Sequence, residues 1–416
     1  MMVATALVLL MVPAVALFYG GLVRAKSALN TMMMCLAAVG AVGVAWALAG
    51  YSIAFAPGGA LAGGLEHLAL RGVGLEARGS IPHLLFMAYQ ASFAVVTAVL
   101  IAGAVVERMR FAPYLAFVAL WTLGVYAPIA HWVWGGGWLA QLGVLDYAGG
   151  TVVHVNAGVA ALVAALVVGG RKDYGRQAML PHNVPLVLLG SSLLYFGWFG
   201  FNGGSALAAD RSAVVAFVNT MLAPMASVLV WMLLDGLRTG RATAVGAATG
   251  IVVGLVAITP AAGFVAPLGA LGIGALAAPP SYFAIVWRAR TRVDDSLDVF
   301  AGHGVGGVVG ALLTGVLADP AWGAGRGLLH GNPAQLGLQA LGVAAALLYS
   351  GAATFVLLRA LGAVTRLQAA PRAQGVGMDV TQHGEEAYGS GEGAVLLTSD
   401  HAPSAVGATA LGEARA

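Results

Sequence analysis

Apolar blocks of about 20 residues or slightly more, the length an α-helix needs to cross a bilayer core, follow one another along nearly the whole chain. They fall near residues 2–22, 28–56, 83–105, 112–130, 149–169, 185–207, 213–234, 243–260, 265–287, 299–318 and 336–362, separated by short stretches holding Arg, Lys, Asp, Pro or Gly. Of the 416 residues 60% are hydrophobic and 9% charged, where a soluble chain carries roughly a quarter charged. That is too little charge to solvate a water-soluble surface. Hydrocarbon offers no hydrogen-bond partners, so the backbone of each block must satisfy itself as a helix. The expected fold is all-α, a polytopic membrane bundle of eleven transmembrane helices. Its 60 glycines suit that fold, because small residues let helices in lipid approach closely and gain dispersion contacts.

Basic residues set the orientation. The loops after odd-numbered blocks carry Arg24, Lys26, Arg108, Arg110, Arg171, Lys172, Arg176, Arg238, Arg241, Arg288, Arg290 and Arg292, whereas the other side has Arg71, Arg78, Arg211 and Arg326. The positive-inside rule then places the N-terminus outside and the C-terminus in the cytoplasm. Strung along alternate loops, these charges form no patch for nucleic acid despite a net charge of +3. Cys35 is the single cysteine, which leaves neither an intrachain disulfide nor a cysteine-rich metal site. The first block has no basic region before it and no small-residue cleavage motif, and it reads as a span rather than a removable leader.

Beyond the last block the composition turns polar, dividing a membrane domain over 1–362 from a cytoplasmic tail over 363–416. The segment 377–388 is patterned enough to dock, with a solvated tail as the alternative, and 389–416, rich in Gly, Ala and Ser, is expected to be disordered. A repeat links the fifth and tenth blocks. Asp146 stands eight residues before His154 and Asp295 eight before His303, with Gly158 and Gly307 each four residues further on. An odd number of spans separates the copies, so they cross in opposite directions, as in an inverted 5+5 repeat followed by a final helix.

His154 and His303 are the sharpest chemical signals. An ionisable group inside a membrane helix costs at least a few kcal/mol and normally faces a cavity or a partner. The repeat sets the two at matching depth, which favours a facing pair lining a pore over two separate packing histidines. Each neutral imidazole has one donor and one acceptor nitrogen, so a pair can share a proton and still accept a hydrogen bond from a small neutral solute. Two histidines without carboxylate or cysteine make a poor closed metal site, and no cofactor is implied. Asp146, close to the outer boundary and followed by Gly149, Gly150 and Thr151, reads either as a helix cap or as a cation contact. Asp295 and Asp298, among Arg288, Arg290 and Arg292, read as ordinary pairing and capping residues.

Aromatic residues form a second set: Phe93, Trp134, Trp198 and Phe201. Trp134 precedes three glycines, whose exposed backbone would let a small cation approach the indole face, an attraction worth roughly 0.5–2 kcal/mol, with Ser205 as a hydrogen-bond acceptor. Phenylalanine plugs would exclude hydrated ions, which do not shed their shells cheaply.

These residues sit in strings that resemble the ammonium transporter (Amt/Rhesus) family, its bacterial branch above all: Phe18 to Gly21, Asp146 to His154, Gly197 to Asn202, and Asp294-Asp295 followed by His303. The resemblance covers roughly 1–388. It implies a homotrimer in the inner (plasma) membrane with one pore per eleven-helix subunit and no enzymatic activity. It further implies ammonium recruitment at Trp134, Ser205 and Phe93, a gate at Phe93 and Phe201, a pore lined by His154, His303 and Trp198, and a structural role for Asp146 at the entrance. Tyr89 departs from the phenylalanine frequent in bacterial relatives. The string ending Glu386-Ala387-Tyr388 resembles the family's cytoplasmic docking segment, implying binding of a PII-like regulatory protein.

The mechanism expected is that ammonium or methylammonium sheds water at the aromatic site, loses its proton, and passes the histidines as the neutral base, with or without a separate proton. The rivals are an ammonium sensor signalling through the tail with little flux, and a passive ammonia gas channel. No nucleophile and base pair or metal cluster supports an enzyme.

Overall fold

The computed structural model describes residues 1–389, and most of the segment expected to be disordered, 390–416, lies outside the described residues. Helices dominate. Among the described residues ten are long and apolar enough to cross a membrane: Met2–Leu22, Ala25–Phe55, His83–Val105, Phe111–Leu142, Gly150–Val168, Val184–Gly203, Arg211–Thr239, Pro267–Arg288, Phe300–Leu317 and Ala334–Val364. The eighth apolar block differs. It forms the 15-residue helix Ala244–Ile258, which passes into a turn at Thr259 and Pro260. At 1.5 Å per residue this helix spans only about 22 Å. A two-stranded antiparallel ribbon, Ala77–Arg78 with Ile81–Pro82, joins the second and third spans.

Among the described residues five spans carry π-helical turns; besides Trp46–Gly50 and Thr122–Tyr126, the three that matter here are Gly150–Val155, Phe199–Gly203 and Phe300–Val305. A π turn re-aims the side chains that follow it, and such turns concentrate at functional sites. His154, Phe201 and His303 all lie on these three turns.

The repeated aspartates begin the two histidine-bearing spans. Four amides at a helix start lack partners of their own. Asp146 satisfies them by accepting from Gly149 (2.9 Å) and Gly150 (2.7 Å) on Oδ1 and from Thr151 (2.8 Å) and Val152 (3.0 Å) on Oδ2. Asp295 Oδ2 accepts from the Phe300 amide at 2.8 Å. The repeated glycines fasten the two spans together. A Cβ on Gly158 would stand 2.3 Å from the Gly304 nitrogen, and one on Gly307 would stand 2.9 Å from the Gly150 carbonyl oxygen. Each span therefore presses its glycine into the other's π turn. Gly150–Val168 runs from the side marked by Trp134 and Asp146 to Gly169, whose carbonyl accepts from Arg108, while Phe300–Leu317 starts beside Arg108 and Arg171 and ends near Phe264. The copies are antiparallel.

On the face carrying most of the basic loop residues, a buried ion cluster ties four loops together. Arg171 meets Glu107 at 2.6 Å and Asp294 at 2.8 Å, and Glu107 also meets Arg24 at 3.0 Å. Charge and hydrogen bonds from these arginines hold Glu107 and Asp294 below the ordinary carboxylate range, overcoming burial, which pushes the other way. Asp298 pairs bidentately with Arg288 at 2.6 and 3.0 Å, so Asp298 is a pairing residue and Asp295 a cap.

The tail docks against the same face. Asp379 accepts from the Leu29 and Asn30 amides at 3.0 and 2.7 Å, His383 contacts the Asn30 side chain at 2.9 Å, and the Tyr388 hydroxyl meets His182 at 2.8 Å.

Candidate functional site

A cavity of about 310 Å³ opens on the side marked by Trp134, its lining including Phe93, Trp134, Ser205, Tyr89 and Gln90. Trp134 is fixed by donating its indole N–H to the Asp146 carbonyl at 2.9 Å, and it meets Phe93 edge-on with centroids 6.0 Å apart. The Ser205 hydroxyl, which lines the cavity, donates to the Phe201 carbonyl at 2.9 Å and so keeps its lone pairs for accepting; the Tyr89 hydroxyl lies 3.3 Å away. Tyr89 also bonds to backbone. Its hydroxyl reaches the Gly200 and Phe201 carbonyls at 3.0 and 2.9 Å, the backbone of a π turn. Gln90 lines the cavity with a buried amide oxygen that has no partner.

The three glycines after Trp134 serve a different purpose from the one their exposure suggested. A Cβ on Gly135 would meet the Ala54 carbonyl oxygen at 2.0 Å, and one on Gly137 would meet the Trp132 Cα at 2.7 Å. These two glycines admit packed backbone, not a cation. Only Gly136, with φ of +86° and open space around it, is free on that count. What the cavity offers a cation is the Trp134 and Phe93 rings together with the Ser205 and Gln90 oxygens.

Beneath the cavity the Phe93 and Phe201 rings stack at 4.1 Å, inclined by 26°, and both side chains are fully buried. Past them stands His154, 6.0 Å from Phe201 and stacked on Trp198 at 5.3 Å. Trp198 is held by its N–H donating to Thr259 Oγ1 at 2.9 Å. The His154 and His303 rings are nearly parallel, 5.3 Å between centroids, with their Nδ1 atoms 3.2 Å apart. One Nδ1 proton serves both rings: the neutral pair has one donor ring and one acceptor ring. His154 Nε2 is buried without a protein partner. The gap beside the pair holds only about 10 Å³ and is lined by Met11, Val15, Val96, Leu100, Leu194 and Trp198 among others. That is a space for about one water-sized molecule. His303 also lines a wider vestibule of about 510 Å³ that opens toward Arg171, Arg288 and Asp298.

Trp134, Ser205, Phe93, Phe201, Trp198, His154 and His303 thus form a connected series of neighbours from cavity to vestibule. Asp146 is not part of it. Its carboxylate oxygens are occupied by the four amides, and burial pushes the carboxyl above its ordinary value against those donors, so it organises the turn that carries His154. Among the described residues, no group of three or more His, Cys, Asp or Glu is arranged to hold a metal ion.

The model of the Ammonium Transporter Family matches residues 1–388. The chain belongs to the ammonium transporter family. Within it, the chain is 48% identical to the ammonium transporter of Aquifex aeolicus, over 93% of this chain and 92% of that one. Among solved structures it is similar to Saccharomyces cerevisiae Mep2, with a TM-score of 0.83 and 39% identity over 88% of this chain and 86% of that one. It is also similar to a protein titled Sensor Amt Protein, with a TM-score of 0.86 and 30% identity over 92% and 96%. An ammonium transporter family member is a multi-pass membrane protein, in agreement with the ten long apolar helices.

Several residues of this family member's path carry no sequence signal that sets them apart. Val96, Leu100 and Leu194 look like any apolar residues of a span. Gln90 and Thr259 were detectable in principle as polar residues inside or at the end of apolar blocks. Glu107 and Asp294 were likewise visible as acids beside basic loops, though nothing local shows that Arg171 joins them.

Proposed function

We propose that this chain transports ammonium across a cell's plasma membrane, taking it up at the Trp134 cavity and delivering it to the vestibule beside His303. The observation that carries this is the unbroken order of aromatic cavity, stacked phenylalanine pair, histidine pair and wide vestibule. Ammonium gains cation–π contact with Trp134 and hydrogen bonds to the Ser205 and Gln90 oxygens as it loses water. Beyond Phe93 and Phe201 the wall is apolar, and an isolated charge there costs far more than such contacts return. The proton is therefore given up before the gap, to water of the Trp134 cavity or to the unpartnered His154 Nε2, and ammonia crosses with the two imidazoles as hydrogen-bond partners. Potassium has no proton to surrender, so the route discriminates against it.

Residues 1–362 form the membrane domain in this scheme, with the Trp134 side outside and the basic loops and the tail in the cytoplasm. The assembly is a homotrimer with one pore per subunit, and the docked tail is the surface for a PII-like regulator. A second reading, sensing of ammonium with little flux, has support in the tail contacts Asp379–Asn30 and Tyr388–His182 and in the likeness to a protein titled as a sensor. Liposomes containing the purified chain separate the two: methylammonium accumulation above that of empty vesicles is expected, and binding without accumulation overturns transport in favour of sensing.

A further inference from the structure

We propose that the end of the final span, around Arg359 and Arg366, is a binding site for the headgroup of an anionic phospholipid. A cavity of about 430 Å³ lies there between the ends of Gly150–Val168 and Ala334–Val364, walled by Val167, Val168, Leu358 and Leu367 and bearing Arg359 and Arg366. Its size falls within the roughly 300–1,000 Å³ of ordinary small-molecule pockets. Both arginines are exposed, and neither has a carboxylate partner among the described residues. Arg110 also reaches this corner, donating to the Arg366 carbonyl at 3.4 Å, and it too lacks an acidic partner there. Several other arginines of this face meet acids instead: Arg24 and Arg171 meet Glu107, Arg171 also meets Asp294, and Arg288 meets Asp298. At this corner the Arg359 and Arg366 guanidinium groups, without a carboxylate partner among the described residues, border a cavity with apolar walls.

The occupant follows from what lies further along the helix. Steps of three and four residues carry one stripe from Arg359 back through Phe355 and Ala352 to Leu348, all exposed, with Phe355 at 51% and Leu348 at 74%. A charged pocket at the end of a span that continues as an apolar stripe toward the membrane centre matches a phosphodiester joined to acyl chains. A soluble anion would use only the first half. Arginine suits the phosphate because its planar fork donates two parallel hydrogen bonds, and at a membrane surface each basic residue adds attraction for anionic lipid.

The test is native mass spectrometry of the full-length chain in detergent, titrated with phosphatidylglycerol or with phosphatidylcholine of the same acyl chains. Phosphatidylglycerol is expected to bind the unaltered protein in preference to phosphatidylcholine. The pair R359Q/R366Q should lose about tenfold or more of the phosphatidylglycerol affinity, the order expected for removing two basic groups from an anionic headgroup, with phosphatidylcholine binding unchanged. The pair R359K/R366K, which keeps the charge and loses the fork, should fall between. Equal binding of phosphatidylglycerol by the unaltered chain and by R359Q/R366Q, with both proteins showing the same thermal unfolding, overturns the proposal. So does equal binding of the two lipids by the unaltered chain.

Discussion

Gly158 lies against the backbone of Gly304, so closely that a Cβ on it would stand 2.3 Å from the Gly304 nitrogen. Alanine normally favours a helix over glycine by about 1 kcal/mol. Here the contact is backbone, which cannot swing aside, and overpacking of this kind costs about 1–3 kcal/mol or more. Gly158→Ala is therefore expected to lower thermal stability in detergent despite its better helix propensity. Gly40→Ala, at a position with no atom near its missing Cβ, is the control and should leave the unfolding temperature unchanged or raise it.

The histidine pair makes a second prediction. Replacing both His154 and His303 by alanine removes the two imidazoles that contact the narrow gap. The ammonium-evoked current in solid-supported membrane recordings should fall at least about tenfold, the kinetic equivalent of one net hydrogen bond lost to the passing solute. An undiminished current would refute a proton-carrying role for the pair.

Phe93 and Phe201 should govern exclusion rather than conduction. Phe93→Ala takes away one ring of a stack spaced at 4.1 Å and joins the 310 Å³ cavity to the space above His154. Water can then follow a cation inward, and the desolvation barrier that rejects potassium is reduced. Potassium flux in liposomes is expected to rise about tenfold or more while ammonium flux persists. Unchanged potassium exclusion would place the filter elsewhere.

Acid should loosen the face that holds Glu107, Arg171 and Asp294. Both carboxyls are held below their ordinary values, so the stability they confer is complete above about pH 4, the usual unfolded range, and is lost as pH falls through their lower folded values. Thermal unfolding in detergent between pH 6 and pH 2 is expected to show this decline, on the order of a few units below neutrality. Asp294→Asn should be less stable at neutral pH and should show a shallower decline on acidification. A decline as steep as in the unaltered chain would assign the acid sensitivity to other groups.

Much of this was legible in one sequence because membranes restrict the options. Block length gave the helices, and the eightfold and fourfold spacings around His154 and His303 revealed the repeat before any coordinates. The spacing also hid the reason for its glycines. That Gly158 serves the π turn of the other copy is a relation across 146 positions of chain, from 158 to 304, and no local pattern reports it. Local exposure misled at Trp134, where Gly135 and Gly137 answer to Ala54 and Trp132. The eighth block, 243–260, is helical over Ala244–Ile258, where Pro260, without an amide proton, closes the helix. The basic-face cluster escaped for a similar reason: Glu107, Arg171 and Asp294 come from three separate loops that only the fold unites.

The Nδ1 to Nδ1 contact between His154 and His303 has a directional consequence. Two neutral rings sharing one proton present unlike outer ends, a bare nitrogen on the donor ring and an N–H on the acceptor ring. A proton entering at the bare end and leaving at the other inverts both tautomers. The second proton then finds the polarity reversed. Any relay through this pair is a ratchet with one click, and it must be rewound, by ring rotation or by a returning exchange, before it can act again in the same sense.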